Sequence, residues 1–248
     1  MRDIRLYVDL PLASGELIEL PEQTARHAVT VLRLKTGDLV TLFNGEGGEY
    51  SASIHALQRR QVQLLIGEHL PVNRESALHT RLVQALGKGE RTEWAIRKAV
   101  ELGVTEIVPL ATERTQVKTS SQKSDQRERR WHGLIVAACE QSGRTRLPLI
   151  RPIASFENWV SAERDGERII LDPRAGQGLS VNRKVTEVEL LVGPEGGFSD
   201  QEYEFACQNN YQPASLGPRI LRTETAPVAA LAILQVQAGD WVSDPVSS

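Results

Sequence analysis

Short alternations of apolar and polar residues dominate the first seventy positions of the chain. They predict β-strands over residues 4–8, 39–43, 50–57 and 62–66. Asparagine and glycine residues over positions 44–48 mark a turn between two of these strands. Apolar residues at helical spacing predict one helix, which begins near Pro21 and extends to Leu32. Together these elements predict a small β-barrel interrupted by a helix.

The pattern changes after a polar, proline-marked segment at residues 71–76, which is expected to be a linker. Strands are predicted beyond it at residues 81–86, 107–110, 168–171, 189–192 and 214–216. Helices are predicted between them at residues 92–102, 125–142, 156–163, 200–209 and 226–238. This alternation is typical of an α/β fold with a mostly parallel sheet. Two domains are therefore expected, over residues 1–72 and 73–248.

The last predicted helix contains residues 228–234, which are apolar on every side. Such a helix is expected to be buried on every face. Its alanines permit close approach by a neighbouring element. That neighbour is either the core of the same chain or a second subunit, and the pattern leaves both open.

The composition of the 248 residues, with 40% hydrophobic and 25% charged, is that of a soluble globular protein. The longest apolar run, residues 226–234, is about half of the roughly 18 residues that a membrane-spanning helix needs, so no span is expected. Charges within the first five residues argue against a signal peptide. The two cysteines, Cys139 and Cys207, are too few for a disulfide framework or a structural zinc site. A cytoplasmic protein without a bound metal is expected.

Basic residues are concentrated in the middle third of the chain. The net charge of the whole is −3, but residues 76–150 carry +5, whereas residues 1–75 carry −2 and residues 151–248 carry −6. A polyanionic partner fits this distribution. A solvated helix face without a ligand is the alternative.

A glycine-rich loop at residues 193–199 follows one predicted buried strand and precedes a helix. Ser199 and Glu202 have the spacing of a capping box at the start of that helix. The glycines let a ligand approach the backbone closely, and the carboxyl end of a parallel strand is where a ligand is expected. The loop matches no phosphate-binding motif, and its acidic Glu195 favours a cationic or neutral ligand. A tight turn without a ligand is the alternative.

A second strand–loop–helix transition spans residues 215–227. Thr223 or Thr225 is expected to cap the helix that follows. Pro227 then lies in the first helical turn, where proline is tolerated.

The two loops carry a family resemblance. Residues 193–199 (GPEGGFS) and 216–226 (LGPRILRTETA) resemble the cofactor-binding signature of the RsmE family of ribosomal RNA uridine-N3 methyltransferases, members of the SPOUT superfamily. Residues 27–33 (HAVTVLR) resemble an element of the PUA-like N-terminal barrel of that family. Other characteristic segments of that family are resembled by residues 85–89, 98–103, 113–114 and 140–144 of this chain.

The resemblance implies an α/β domain of the SPOUT type with a C-terminal trefoil knot, preceded by a small PUA-like β-barrel that binds RNA. Both motif loops would hold S-adenosylmethionine, and two subunits would pair as a homodimer. The implied cofactor-binding residues are Leu171, Gly193, Pro194, Glu195, Gly196, Leu216, Gly217, Ile220, Leu221, Arg222, Thr223 and Ala226. The candidate RNA-binding residues are His27, Arg33, Lys88, Lys98, Arg114 and Arg144.

The implied reaction is methylation of N3 of a uridine in 16S rRNA, near the decoding region and on the assembled small subunit. Removal of the N3 proton leaves charge on the uracil that needs a nearby donor. Arg222 is the candidate for that donor, and Glu224 or Glu195 would orient Arg222 or relay the proton. A catalytically silent RNA-binding protein and a ribose 2′-O methyltransferase are the competing interpretations.

Overall fold

A computed structural model of the chain describes residues 4–58, 61–87, 90–115 and 121–241, the side chains of residues 121–124 excepted. The chain divides into two compact units. The first comprises Met1–Glu75 and Cys139–Leu147, and the second comprises Ser76–Ala138 and Pro148–Ser248. The sequence pattern assigns residues 139–147 to the second domain, whereas they pack with the first unit.

The first unit is built on a largely antiparallel sheet. Its elements are β1 (Arg5–Tyr7), β2 (Leu17–Glu19), α1 (Glu22–Thr30), β3 (Leu39–Phe43), β4 (Glu49–Gln58) and β5 (Gln61–Leu70). The strand order is β1-β3-β4-β5-β2, with β1 parallel to β3. Alternate side chains such as Leu42, Ile54 and Leu64 are buried in one core. The predicted strands and helix are confirmed. Strand β2 is not predicted, because three residues are too few to show an alternation of apolar and polar positions.

Residues 139–147 join the first unit through the carboxylate of Glu75. The Arg144 side chain donates from Nε to Glu75 Oε2 at 2.9 Å, and the backbone N–H groups of Thr145 and Arg146 donate to Glu75 Oε1 at 3.2 Å. The backbone N–H of Tyr7 donates to Glu140 Oε1 at 3.0 Å. Neither contact is visible in the sequence, because the partners lie about seventy or more positions apart.

The second unit is a parallel sheet flanked by helices. Its elements are β6 (His79–Ala85), α2 (Arg91–Glu101), β7 (Glu106–Ala111), α3 (Ser121–Ser142), β8 (Leu149–Ile150), β9 (Ala154–Ser155), α4 (Phe156–Ser161), β10 (Glu167–Leu171), β11 (Glu187–Val192), α5 (Asp200–Gln208), β12 (Gln212–Ala214) and α6 (Thr225–Gln237). The strand order is β12-β10-β11-β6-β7-β8, and β9 also pairs with β7. The last four residues of α3 belong to the first unit. The predicted alternation and the α/β class are confirmed.

Helix α6 differs from the sequence prediction in two respects. Its buried side is formed by residues such as Ala230, Leu231 and Leu234, but Ile233 is only half-buried and Val236 is 56% exposed. The expectation of burial on every face is therefore wrong for the single chain. None of the helices in the described ranges is long and apolar enough to cross a membrane.

The start of α6 also differs from the prediction. Glu224 occupies the N-cap position without a capping hydrogen bond from its side chain, so neither Thr223 nor Thr225 is the cap. Thr225 is already inside the helix. The Thr223 hydroxyl instead donates to the carbonyl oxygen of Gly193 at 2.7 Å, which takes it away from the helix end.

Paired charges connect the amino-terminal halves of the central strands. Arg81 on β6 donates to Glu106 on β7 at 2.7 Å and to Glu189 on β11 at 3.2 Å. Arg151 donates to the other oxygen of Glu106 at 2.5 Å. Burial by itself would raise the pKa of Glu106, but the hydrogen bonds from Arg151 and Arg81 outweigh it and lower that pKa below its ordinary value. This network therefore depends on an ionised Glu106.

Candidate functional site

The carboxyl ends of β10, β11 and β12 meet at one edge of the parallel sheet, and the loops that follow them enclose a cavity of about 570 Å³. The predicted cofactor residues that line it are Leu171, Gly193, Pro194, Glu195, Gly196, Leu216, Gly217, Ile220, Leu221, Thr223 and Ala226. Arg222 is exposed and lies outside this lining. The structure thus brings two distant motifs together, and a role in cofactor binding stays a prediction for each residue.

The loop at residues 193–199 depends on its glycines for its shape. Gly197 has a φ of +67°, which favours glycine, and its N–H donates to the Pro194 carbonyl at 2.9 Å. A Cβ atom at Gly193 would lie 3.2 Å from Cε2 of Phe198, whose side chain is buried under the loop. The chain therefore turns back tightly over Phe198 and leaves its backbone facing the cavity.

The capping box predicted at the start of α5 is present. Ser199 Oγ accepts from the Glu202 N–H at 3.2 Å, and Glu202 Oε2 accepts from the Ser199 N–H at 2.9 Å. Glu202 Oε1 also accepts from the backbone N–H of Glu113 at 2.8 Å. One buried carboxylate thus anchors both the end of the cavity loop and the segment after β7.

Arg114 follows directly and holds the same loop. Its Nη1 donates to the carbonyl oxygens of Gly196 at 2.7 Å and of Phe198 at 3.2 Å, and the side chain lines the cavity. The positive charge of Arg114 makes it a candidate RNA contact in the sequence. The structure gives its guanidinium partners within the cavity loop.

A group of charged residues that the sequence motifs do not include also lines the cavity. Asp172, Arg174 and Asp200 line the cavity, and Arg174 donates to both oxygens of Asp172 and to Asp200 Oδ1 at 2.9 Å. Burial by itself would raise the pKa of Asp172, but the hydrogen bonds from Arg174 outweigh it and lower that pKa. Asp172 directly follows β10, and that position at a strand's carboxyl end was the signal that could have identified it.

The acidic candidates lie close to a basic residue that the motifs did not single out. Arg91 Nη1 donates to Glu195 Oε1 at 3.0 Å, and its Nε lies 3.9 Å from Glu224 Oε1. Glu195 lines the cavity, whereas Glu224 lies at the start of α6 outside the lining. Arg222, the candidate donor to uracil, is two positions before Glu224 and exposed.

The RNA-binding candidates of the first unit have different surroundings. His27 and Arg33 are exposed, and Arg33 has a φ of +55°, which is uncommon for a residue other than glycine. Arg144 is only 4% exposed and its guanidinium is paired with Glu75. The charge of Arg144 is therefore used inside the first unit and is not presented to an RNA phosphate.

Two further RNA-binding candidates lie on or before α2. Lys98 is half-buried and pairs with Glu101 through Nζ at 2.8 Å. Lys88 lies outside the described residues. A contact with RNA therefore stays a prediction for His27, Arg33, Lys98 and Lys88.

Comparison with known protein families gives two matches in chain order. Residues 74–235 match a family model described as an RNA methyltransferase domain. Residues 20–67 match a model described as an RNA methyltransferase PUA domain. The first match covers most of the second unit, and the second lies within the first unit.

Individual relatives agree with these matches. Ribosomal RNA small subunit methyltransferase E of Buchnera aphidicola (subsp. Schizaphis graminum) is 32% identical, over 95% of this chain and 97% of its own. A putative methyltransferase from Legionella pneumophila, solved in complex with the bound cofactor SAM, is 41% identical with a TM-score of 0.94 over 97% of this chain and 100% of its own. Ribosomal RNA small subunit methyltransferase E from Neisseria gonorrhoeae, solved bound to S-adenosyl methionine, is 33% identical with a TM-score of 0.91 over the same shares. The chain therefore belongs to the ribosomal RNA small subunit methyltransferase E family.

Proposed function

We propose that the protein transfers a methyl group from S-adenosylmethionine to N3 of a uridine in 16S rRNA, near the decoding region of the assembled small subunit. As a member of its family, the protein is a methyltransferase of small-subunit ribosomal RNA. The observation that carries the proposal is the meeting of the two motif loops at one cavity, joined by the hydrogen bond from Thr223 to Gly193. The predicted trefoil knot in this domain is part of the same proposal.

The cavity suits S-adenosylmethionine in size and in the chemistry of its walls. Its volume of about 570 Å³ lies within the roughly 300–1,000 Å³ typical of small-ligand sites. The lining combines three carboxylates, of Asp172, Glu195 and Asp200, with three guanidinium groups, of Arg114, Arg174 and Arg219. Both signs of charge suit a ligand that carries a sulfonium, an ammonium group and a carboxylate. Backbone groups of Gly193 and Gly196 are open to close approach, as the binding of a cofactor by backbone contacts requires.

The residues around the cavity have distinct tasks in this reaction. Bound S-adenosylmethionine supplies an electrophilic methyl group on a sulfonium. The protein must hold the uracil in line with it, exclude water and remove the N3 proton. Arg222 contacts the uracil and stabilises the charge that develops on it. Glu224 or Glu195 accepts the proton or orients Arg222.

The substrate is bound by both units in this proposal. The PUA-like first unit contributes His27 and Arg33 on its exposed surface. The positive φ of Arg33 supports this role, because uncommon backbone conformations cluster at functional sites. Lys98 and Lys88 supply phosphate contacts from the second unit. Because N3 is hidden in a paired base, the target uridine must be turned out of its helix.

A homodimer is the second part of the proposal. The apolar residues that α6 leaves half-buried or exposed, among them Val228, Ala232, Ile233 and Val236, form one side of the helix. An apolar side with alanines permits close packing against a second copy. The partner would cover these residues beside the loop that ends at Glu224.

The proposal is tested with purified protein, labelled S-adenosylmethionine and small ribosomal subunits that lack the modification. We expect 3-methyluridine in the digested 16S rRNA by nucleoside mass spectrometry, and no product from naked RNA. A ribose-methylated nucleoside would instead favour the 2′-O reaction. Absence of cofactor binding by calorimetry would favour a silent RNA-binding protein.

A further inference from the structure

The geometry points to Arg91 as a positioning residue for methyl transfer, which links the two motif loops through their acidic side chains. This inference rests on the proposed function, since it assigns Arg91 to that function's chemical step. Arg91 is the first residue of α2 and follows the loop that leaves β6. Because β6 is parallel to β11, that loop emerges at the same sheet edge as the loop at residues 193–199.

Gly87, two residues after the end of β6, lies against the cavity loop. A Cβ atom at Gly87 would lie 3.3 Å from Oε1 of Glu195, so the glycine gives that carboxylate room. The Gly87 N–H donates to the Thr92 hydroxyl at 3.0 Å, which ties Gly87 to the start of α2. These contacts place the Arg91 guanidinium beside the acidic residue of the first motif.

The Arg91 guanidinium lies between carboxylates from both motifs. Its Nη1 donates to Glu195 Oε1 at 3.0 Å, while Nε lies 3.9 Å from Glu224 Oε1. A guanidinium presents its donors in a fixed planar fork, so it can hold two carboxylates at a set separation. Arg91 thereby sets the distance between a cavity-lining side chain and the segment that carries Arg222.

The exposure of these side chains indicates that the contact serves position more than stability. Arg91 is 39% exposed, Glu195 33% and Glu224 18%. Ion pairs with this much solvent contact contribute little to folding stability. Oε2 of Glu224 is buried and has no hydrogen-bond partner among the described residues. The ion-pair contact of the Glu224 carboxylate with Arg91 is made at its other oxygen, Oε1.

Loss of Arg91 should therefore affect the chemical step and spare the cavity. Arg91 itself does not line the cavity and takes no part in the hydrogen bond from Thr223 to Gly193, so S-adenosylmethionine should still bind. The segment with Arg222 and Glu224 would lose its link to Glu195. Displacement of reacting groups by about 1 Å lowers rates roughly 100-fold.

The first test compares Arg91→Gln with Arg97→Gln, which removes an exposed arginine from the same helix. Methyl incorporation into small subunits is measured from labelled S-adenosylmethionine, so the readout is independent of which uridine atom is modified. For Arg91→Gln we expect kcat to fall roughly 10- to 100-fold, with KM for the subunits and cofactor affinity by calorimetry little changed. Arg91→Lys, which keeps the charge without the fork, should be intermediate, and Arg97→Gln should match the wild type.

A second readout does not depend on activity. The N–H groups of Thr225 and Ala226 donate to the Arg222 carbonyl oxygen at 2.9 and 3.0 Å. Their hydrogen exchange should be faster in Arg91→Gln than in Arg97→Gln, while exchange in β6 and β11 stays the same. The double variant Arg91→Gln with Glu195→Gln should be no slower than the slower single variant, because the two residues act as a unit.

The outcomes separate this inference from the proposed function. Unchanged kcat or unchanged exchange in Arg91→Gln would overturn the role of Arg91. If Arg91→Gln lowers cofactor affinity and thermal stability as much as it lowers kcat, the role of Arg91 is also overturned. Such a result would show that the contact is purely structural. A wild-type protein that transfers no methyl group would overturn the proposed function, and the exchange measurement would still decide whether Arg91 holds this segment.

Discussion

At the residue scale, Gly196 lies where the cavity loop comes close to Arg114. Gly196 exposes its backbone to the cavity, and a Cβ atom there would lie 3.4 Å from Cδ of Arg114, which is an ordinary contact. The position therefore has room for one methyl group on the protein side. Anything larger must displace Arg114 or enter the cavity.

Substitution of Gly196 should separate cofactor binding from folding. We expect Gly196→Val to weaken S-adenosylmethionine binding by about tenfold or more, since overpacking costs roughly 1–3 kcal/mol. Gly196→Ala is the matched control and should bind nearly as the wild type does. Isothermal calorimetry measures the affinity, and circular dichroism should show an unchanged fold. Normal affinity in Gly196→Val would remove this residue from the cofactor site.

At the scale of elements, the start of α5 is specified by its own capping residues. Its capping box was predicted from four residues, and Glu202 has an additional partner in the Glu113 N–H that only the folded chain provides. The helix start and the segment after β7 therefore share one buried carboxylate. Loss of the Glu202 carboxylate should therefore destabilise the fold more than loss of an ordinary cap residue.

The two capping residues should differ in their effect on stability. We expect Ser199→Ala to lower the free energy of unfolding by about 1 kcal/mol. Glu202→Ala should cost more, roughly 2–4 kcal/mol, because two backbone N–H groups, of Ser199 and Glu113, lose their acceptor. Glu204→Ala, at an exposed position of the same helix, is the control. Urea denaturation gives the values, and equal losses for Ser199 and Glu202 would contradict the shared role.

Helix α6 makes a further prediction at this scale. If its half-exposed side contacts a second copy, a charge there must break the contact. We expect Ile233→Glu to shift the protein from dimer to monomer in sedimentation equilibrium, with secondary structure unchanged. Gln208→Glu, at an exposed position at the end of α5, should leave the dimer intact. A wild-type protein that sediments as a monomer would end the dimer proposal.

At the scale of the whole molecule, stability depends on charges that are paired across strands. Glu106 joins Arg81 and Arg151 across the parallel sheet of the second unit. Because the pKa of Glu106 is lowered in the folded state, its pairing stabilises the protein above the ordinary carboxyl pKa. That contribution is lost as the pH falls through the lowered pKa of the folded state.

The acid dependence of unfolding tests this network. Glu106→Gln should lower the free energy of unfolding by about 1–3 kcal/mol at neutral pH. Its difference from the wild type should shrink as the pH falls below the ordinary value of 4.5. Chemical denaturation between neutral pH and pH 3 provides the measurement, with Glu204→Gln as the control. A difference that stays constant with pH would contradict the pairing.

Much of the fold could be predicted because its signals are local. The order and approximate ends of the longer strands and helices follow from apolar periodicity, and the loop at residues 193–199 follows from its glycines and capping box. The strands β2, β8 and β9 were missed, since two or three residues carry no periodicity. The cap of α6 was misassigned because the Thr223 hydroxyl has a closer partner in the Gly193 carbonyl.

The sequence by itself determined the two motif loops, the α/β alternation and the family, because each depends on residues that are near one another in the chain. The tertiary structure alone decided how the charged side chains are paired. It paired Arg144 with Glu75, turned Arg114 onto the loop at residues 193–199, and brought Arg91 to Glu195. These contacts join residues that are tens of positions apart, and charge or spacing along the chain does not specify which partner such a side chain meets.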